Sequence, residues 1–203
     1  EISLLGARPV VAGIKQEFYF VDSGGGSTEV ALVDGASGRL IAGKSVNIGV
    51  APLSKQLAAL GDKPTPDRLE GFTQKLTETF TRKMAAWDKP RTTTTTLVVA
   101  GSPLHLKRFE LKHTHDQRET YFGQTIGRQK MVDIAQELAS LGHEGRLKTP
   151  CLDATSVHFL LPSALKSLAL MAATGAPEII LAPSGICAGL GLRQAEEHKR
   201  EAL

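Results

Sequence analysis

The sequence predicts an α/β domain: a mixed sheet with an antiparallel hairpin at one edge, parallel strands added through helical crossovers, and flanking helices. Three observations carry this. Strand-like runs at 17–22, 27–33 and 39–47 follow one another through turns rich in glycine, Gly24, Gly25 and Gly26 first and Asp34, Gly35, Ser37 and Gly38 second, which is the pattern of an antiparallel meander. Helical and strand-like patterns alternate from there on. Glycines stand in the turn between the first two strands, at 24–26, and at later strand-to-helix junctions, at 101 and 185.

The elements after the meander follow in order. Residues 50–60 form a short helix closed by Gly61. Thr65 caps the next helix and Pro66 suits its first turn. Leu69, Phe72, Leu76, Phe80, Met84 and Trp87 recur at helical spacing, so a long amphipathic helix turns this stripe to the core and ends before Pro90. The threonine run 92–96 favours a strand, leads into Leu97, Val98 and Val99, and ends at Gly101. Residues 107–127 lack a clean period and hold Lys107, Arg108, Lys112, His113, His115 and Arg118, which predicts a solvated loop region. Met131, Ile134, Ala135, Leu138 and Leu141 mark another amphipathic helix. The stretch 154–174 is apolar nearly all round and predicts a buried helix, kinked by Pro162 or restarted there, and ended by Gly175. A short strand, 179–182, and a final helix, 185–201, complete the chain, and no internal repeat is visible.

Composition narrows the function. At 203 residues, 41% apolar and 22% charged, the chain fits a single soluble domain. A formal charge of +3 is too weak an excess for a nucleic-acid binder, so any anion site is local. Lys166 interrupts the richest apolar run, and none reaches the ~18–20 residues of a membrane span. Cys151 and Cys187 lack metal-ligand spacing and read as small hydrophobes in a reducing compartment, so a cytoplasmic location is expected. The chain opens on Glu1 without the regions of a signal peptide, so the expectation is that residues precede it.

The chemistry concentrates in DSGGGSTE, Asp22 to Glu29. Three glycines remove every Cβ, permit positive φ and let the backbone approach an anion. Successive amides in such a turn form an electropositive nest, and Ser27 and Thr28 add hydroxyl donors. Asp22 and Glu29 bracket the nest. Carboxylates beside a bound phosphate repel it unless a cation lies between, so the pair predicts a divalent metal, with Mg2+ as the natural choice.

This segment resembles the motif of the exopolyphosphatase and guanosine pentaphosphate phosphatase (Ppx/GppA) family, DIGGGSTE, from which only Ser23 departs. The resemblance covers essentially the whole chain and extends to the turn at Gly101 and the glycines between 185 and 189. It implies a ribonuclease H-like fold, as in the actin, sugar kinase and acetate kinase superfamily, with 1–203 forming the second, C-terminal lobe of a two-lobed phosphatase. It also implies magnesium-dependent release of terminal orthophosphate from polyphosphate or guanosine pentaphosphate. Gly24, Gly25, Gly26, Ser27 and Thr28 would then bind the terminal phosphate, Gly101 and Ser102 would make the next contact, and Asp22 and Glu29 would hold the metal. The family's water-activating glutamate maps just upstream of Glu1, or onto Glu1 if the register slips by a residue or two. Glu29 is the candidate catalytic residue within the chain. The partners so implied are the phosphoanhydride and the chain's own N-terminal lobe, and a homodimer is compatible with it.

The sequence departs from the family at charged places. Ser156 and His158 stand where an Arg-x-Asp usually opens the buried helix, Cys187 and Ala188 where Arg and Glu are usual, and Ser102-Pro103 follow Gly101 in place of a threonine. These losses support a rival reading, a non-catalytic sensor that kept the nest. An ATP-dependent kinase of the same superfamily is disfavoured, because no second double-glycine adenosine motif is present. His113 and His115 have a metal-site spacing but no accompanying carboxylate cluster, and they read as loop residues. The basic stretch 107–118 reads as a solvated face, with guidance of a polyanion as the alternative.

Overall fold

A computed structural model of the chain describes residues 2–87, 90, 94–115, 117–183, 190 and 194. Six strands form one mixed sheet in the order β3-β2-β1-β4-β6-β5. The meander β1 (Phe18–Ser23), β2 (Thr28–Asp34) and β3 (Arg39–Val46) is antiparallel, and β4 (Leu97–Gly101) and β6 (Glu178–Ala182) extend it in parallel from β1. The expected arrangement of an edge meander followed by parallel crossover strands is therefore the observed one. The final helix expected at 185–201, and with it Gly185, Cys187 and Ala188, falls outside the described residues except for Leu190 and Gln194.

Strand alternation divides the core into two layers. Tyr19 and Val21 of β1, Val30 and Leu32 of β2, Leu97 and Val99 of β4, and Ile179 and Leu181 of β6 face the larger one. There they meet α4 (Pro66–Met84), α5 (Pro103–Glu110), α6 (Arg128–Leu147) and α7 (Leu160–Thr174). Phe18, Phe20, Val98, Ala100 and Ala182 point the other way, onto Leu4, Ala7, Val10 and Val11 of an N-terminal segment containing α1 (Ile2–Gly6) and α2 (Arg8–Val11). The Leu69 to Met84 stripe of α4 is buried as its spacing requires, and α3 (Val50–Ala58) begins at the end of the meander.

Three local expectations need correction. The described threonines 94–96 lie outside β4, which starts only at Leu97, where the continuously apolar run begins and both faces become buried. Residues 107–127 are not a solvated loop: α5 extends through Glu110, a 3-10 turn occupies Arg118–Tyr121, and β5 (Thr125–Gly127) pairs antiparallel with β6. Helix α5 shows no clean period because it lies against other elements on several sides, so that even Lys107 is buried, donating to Glu110 and the Thr125 carbonyl. The predicted buried helix begins later, with a 3-10 turn at Ser156–His158 before α7; of the two alternatives for Pro162, the restart holds, since it falls in the first turn of α7. Gly175 ends α7 in the left-handed region, as a C-terminal glycine does.

Lys166 and Phe80 are both fully buried in the larger layer. Truncating the aromatic ring leaves a cavity on the inner face of α4, so Phe80→Ala should lower the unfolding free energy by ~3–5 kcal/mol. Urea denaturation followed by circular dichroism checks this.

Candidate functional site

The carboxyl ends of β1 and β4 lie side by side, and there the segment Gly24–Thr28 turns the chain from β1 into β2. Crevices outside the carboxyl ends of parallel strands are where α/β sheets place ligands. The conformation of the turn is fixed from the inside. Val50 and Ala51, the first residues of α3, donate their amides to the carbonyls of Gly24 and Gly25 at 3.2 and 2.9 Å. All peptide bonds among the described residues are trans. In a trans peptide the N–H points opposite to the C=O, so the amides of Gly25 and Gly26 are directed away from α3. Neither they nor the Ser27 amide meets an acceptor among the described residues, while Gly24 N–H closes the turn on the Ser27 carbonyl. Gly25 and Gly26 are exposed. The result is a short run of outward amide donors, able to accept an anion.

The glycines serve this geometry differently from expectation. None of Gly24, Gly25 and Gly26 has the left-handed φ anticipated from sequence. A Cβ on Gly25 or Gly26 would meet nothing within 4 Å, so their bareness leaves open space over the amides. Two other glycines are structurally required. A Cβ on Gly49 would collide with the backbone of Gly25 and Gly26, so only glycine lets α3 reach the turn. Gly101, at φ +90°, passes so close to β1 that its Cβ would lie 2.6 Å from the Ser23 carbonyl oxygen. Gly49 carried no signal in the sequence beyond preceding an apolar helix.

The predicted metal ligands come together. Asp22 and Glu29 are directly opposed across β1 and β2, on the face that carries the N-terminal segment. Ser3 of α1 donates to Asp22 Oδ2 at 2.6 Å, and the hydroxyls of Ser27 and Ser45 both donate to Glu29 Oε1 at 2.7 Å. Like charges directly opposed across a strand pair repel, and a cation between them would relieve this. No group of three or more His, Cys, Asp or Glu suited to a metal occurs among the described residues. Two carboxylates at the rim of an anion nest nonetheless fit Mg2+, which takes one or two carboxylates and fills its other positions with water and phosphate oxygens.

The hydroxyls are less available than expected. Ser27 already donates to Glu29, and Thr28, fully buried, donates to the Ile48 carbonyl. Ser102 lies at the start of α5, where its hydroxyl joins those of Ser23 and Ser163, each 2.9 Å away. This chain of hydroxyls ties the ends of β1 and β4 to α7.

Beneath the turn lies a group that the sequence reading did not select. Lys166 of α7 is fully buried, with Nζ 3.1 Å from the Thr28 hydroxyl and 3.4 Å from the Gly24 carbonyl. Burial pushes its pKa down to about 7, against the attraction of Glu29 and Asp22. Its signal was present in the sequence: α7 is apolar nearly all round and offers a lysine no solvent face.

The remaining candidates serve other contacts. His158 stacks on His143, ring centroids 4.9 Å apart, in a cavity of about 330 Å³ that it lines with Asp62 and Arg146. Ser156 is buried and bonded to Asp153. Neither therefore supplies the nest with a charge. His113 bonds the Tyr121 hydroxyl, while Arg108 pairs with Asp153 and Lys112 with Glu137, so the basic stretch is largely engaged locally.

A sequence profile described as the Ppx/GppA phosphatase family matches residues 2–198. No curated protein sequence matches significantly. Among solved structures, an Aquifex aeolicus Ppx/GppA family member superposes with a TM-score of 0.79 at 17% identity, over 97% of this chain and 62% of its own. An exopolyphosphatase-like protein gives 0.79 at 18% identity, over 100% and 66%. An exopolyphosphatase from Cytophaga hutchinsonii gives 0.76 at 14%, over 97% and 62%. At such identities the likeness is one of fold, and the chain spans a little under two thirds of the length of these structures.

The two required glycines and the free one separate by stability. Gly49→Ala and Gly101→Ala should each cost ~1–3 kcal/mol, because backbone must move apart, and Gly25→Ala should stay within ~0.5 kcal/mol of the parent. Urea midpoints of the three variants check this.

Proposed function

The chain belongs to the Ppx/GppA phosphatase family, and we propose that it forms the second lobe of a two-lobed phosphoanhydride hydrolase acting on inorganic polyphosphate or guanosine pentaphosphate. The observation that carries this reading is the pair of outward, unpartnered amides at Gly25 and Gly26.

The terminal phosphate sits on these amides, with the Ser27 amide beside them. Asp22 and Glu29 hold Mg2+ at the rim of the nest. A metal held there would supply charge neutralisation for the oxygens that gain charge as the anhydride breaks. Phosphoryl transfer asks little covalent chemistry of a protein, so positioning and fixed dipoles carry most of the effect. The amides are pre-set by α3 and need no reorganisation when charge develops. Both carboxylates at the nest have their hydroxyl partners, and the water-activating base belongs to a first lobe that closes over this one. Ser156 and His158, in place of the arginine and aspartate usual in the family, favour the second reading, a sensor that binds the phosphoanhydride without cleaving it.

Three measurements test the proposal. Gly25→Val should leave circular dichroism intact and abolish polyphosphate binding in calorimetry, since the side chain enters the space above the amides; retained affinity would remove the nest from the mechanism. Asp22→Asn should weaken binding more with magnesium than without it, and an equal loss in both would mean that this carboxylate holds no metal. Phosphate release should be ~10²- to 10⁴-fold slower from this chain than from a two-lobed protein containing it. Binding without release by either would establish the sensor.

A further inference from the structure

The buried lysine of α7 has no part in the function just proposed. A lysine without exposure is uncommon, because its ammonium loses hydration that two acceptors replace only in part. Lys166 has those two acceptors, the Gly24 carbonyl and the Thr28 hydroxyl, and both belong to the turn that carries the nest. The same Gly24 carbonyl accepts the Val50 amide of α3. Thus the peptide group that directs the Gly25 amide outward is held from beneath by a helix N-terminus and by an ammonium. Thr28 takes the lysine proton on its hydroxyl oxygen while giving its own to Ile48, so both ends of the turn are tied to the interior.

We propose that Lys166 is the positioning residue of the nest: its ammonium locks the Gly24 carbonyl inward and adds, from below, positive charge that a phosphate above the Gly25 and Gly26 amides meets. The inference rests on the phosphate-binding reading of this turn.

Alternation in the strands places Lys166 and the acidic pair on opposite sides of one rim. Thr28, its partner, faces the helical layer, while Glu29 and Asp22 face the N-terminal segment. The charged groups acting on the ammonium are these two carboxylates. Tyr19, on the helical side of β1, has its pKa raised by burial above the ordinary 10.0 and so brings no charge where Lys166 titrates. A single peptide group separates the ammonium from the outward Gly25 amide. With an effective dielectric constant near 20, the attraction across it is worth on the order of tenfold or more in affinity. The folded pKa of about 7 lies below the ordinary 10.5. Lys166 therefore opposes folding where it is charged: stability rises with pH between these two values, because the unfolded chain there binds the proton and the folded one does not.

Function and stability thus pull in opposite directions at this residue, and the test uses that. Lys166→Met keeps the length of the side chain and removes the charge. Sulfate, whose charge is constant from about pH 6 to about pH 9, is the probe, titrated without metal into the 203-residue chain and followed by calorimetry. The expected result is sulfate affinity lowered on the order of tenfold in Lys166→Met at pH 6, with a melting temperature equal to or above the parent's. Parent affinity should itself fall as pH rises through about 7, and the variant's should not. Equal sulfate affinity in parent and variant at pH 6 would overturn the role of Lys166 while leaving the nest intact. No sulfate binding by the parent at any pH would overturn the nest reading and this inference together. Should the variant fail to fold, the parent's pH profile decides alone, a flat profile counting against the proposal.

Discussion

Two carbonyls turned inward determine what this site can do. Gly24 and Gly25 direct their oxygens at the first amides of α3, and planarity of the peptide bond then sends the next amides outward. A free helix N-terminus attracts anions, but here those first amides are satisfied by protein carbonyls. The outward amide donors that a free helix N-terminus would offer are instead offered by the glycine turn. Gly49 makes this possible, because any side chain there would hold α3 away from the turn. The usual explanation of a glycine-rich anion loop, left-handed φ, does not apply to the three glycines themselves and applies instead to Gly101, where β4 crosses close to β1.

Strand period then distributes charge around the turn. Residues two apart share a face, so Asp22 falls with Phe18 and Phe20, and Ser23 with Tyr19 and Val21. The hairpin opposes Asp22 to Glu29 and Ser23 to Thr28. One side of the rim therefore carries two carboxylates and the hydroxyls that orient them, and the other carries Thr28, the linked hydroxyls of Ser23, Ser102 and Ser163, and Lys166. The nest lies between a face suited to a cation and a face that contains one. A phosphate with its magnesium would match this distribution, its negative oxygens suited to the amides and the cation to the carboxylates.

Sequence reasoning reached the features that depend on local pattern. The meander, the α4 stripe, the buried α7 and the pairing of Asp22 with Glu29 all follow from period or from turn residues, and each was readable. The failures lie where neighbours decide. Thr94 to Thr96 have strand propensity, but the register with β1 starts at Leu97 and only the Thr96 carbonyl reaches that strand, accepting from the Tyr19 amide. Helix α5 is enclosed by α7, β4, β6 and the following 3-10 turn, which removes the single apolar face that a period search needs. β5, at three residues, is too short to show alternation. The Thr28 hydroxyl was assigned to the ligand because its burial depends on α7, more than a hundred residues away in the chain. Lys166 was read only as an interruption of an apolar run. A charged residue in a helix without a polar face is better taken as a question about its partner.

The openness of the nest bears on what a single lobe can achieve. Gly25 and Gly26 are exposed, so a phosphate bound to their amides has protein on one side and bulk water on the other among the described residues. In that setting dipoles are screened and water is not oriented for attack, which suffices for binding and is poor for catalysis. Closure by a second wall would lower the local dielectric, strengthen the existing amide and lysine fields without altering them, and fix the nucleophile in line. On this view the lobe contributes a field set in advance by folding, with α3 and α7 as its sources, and the partner surface contributes exclusion and proton transfer. The two contributions are separable, which explains how the nest geometry is compatible with both a hydrolase and a sensor: the residues proposed to hold the anion are positioned by this fold, and those proposed to cleave it would lie on a surface facing the nest.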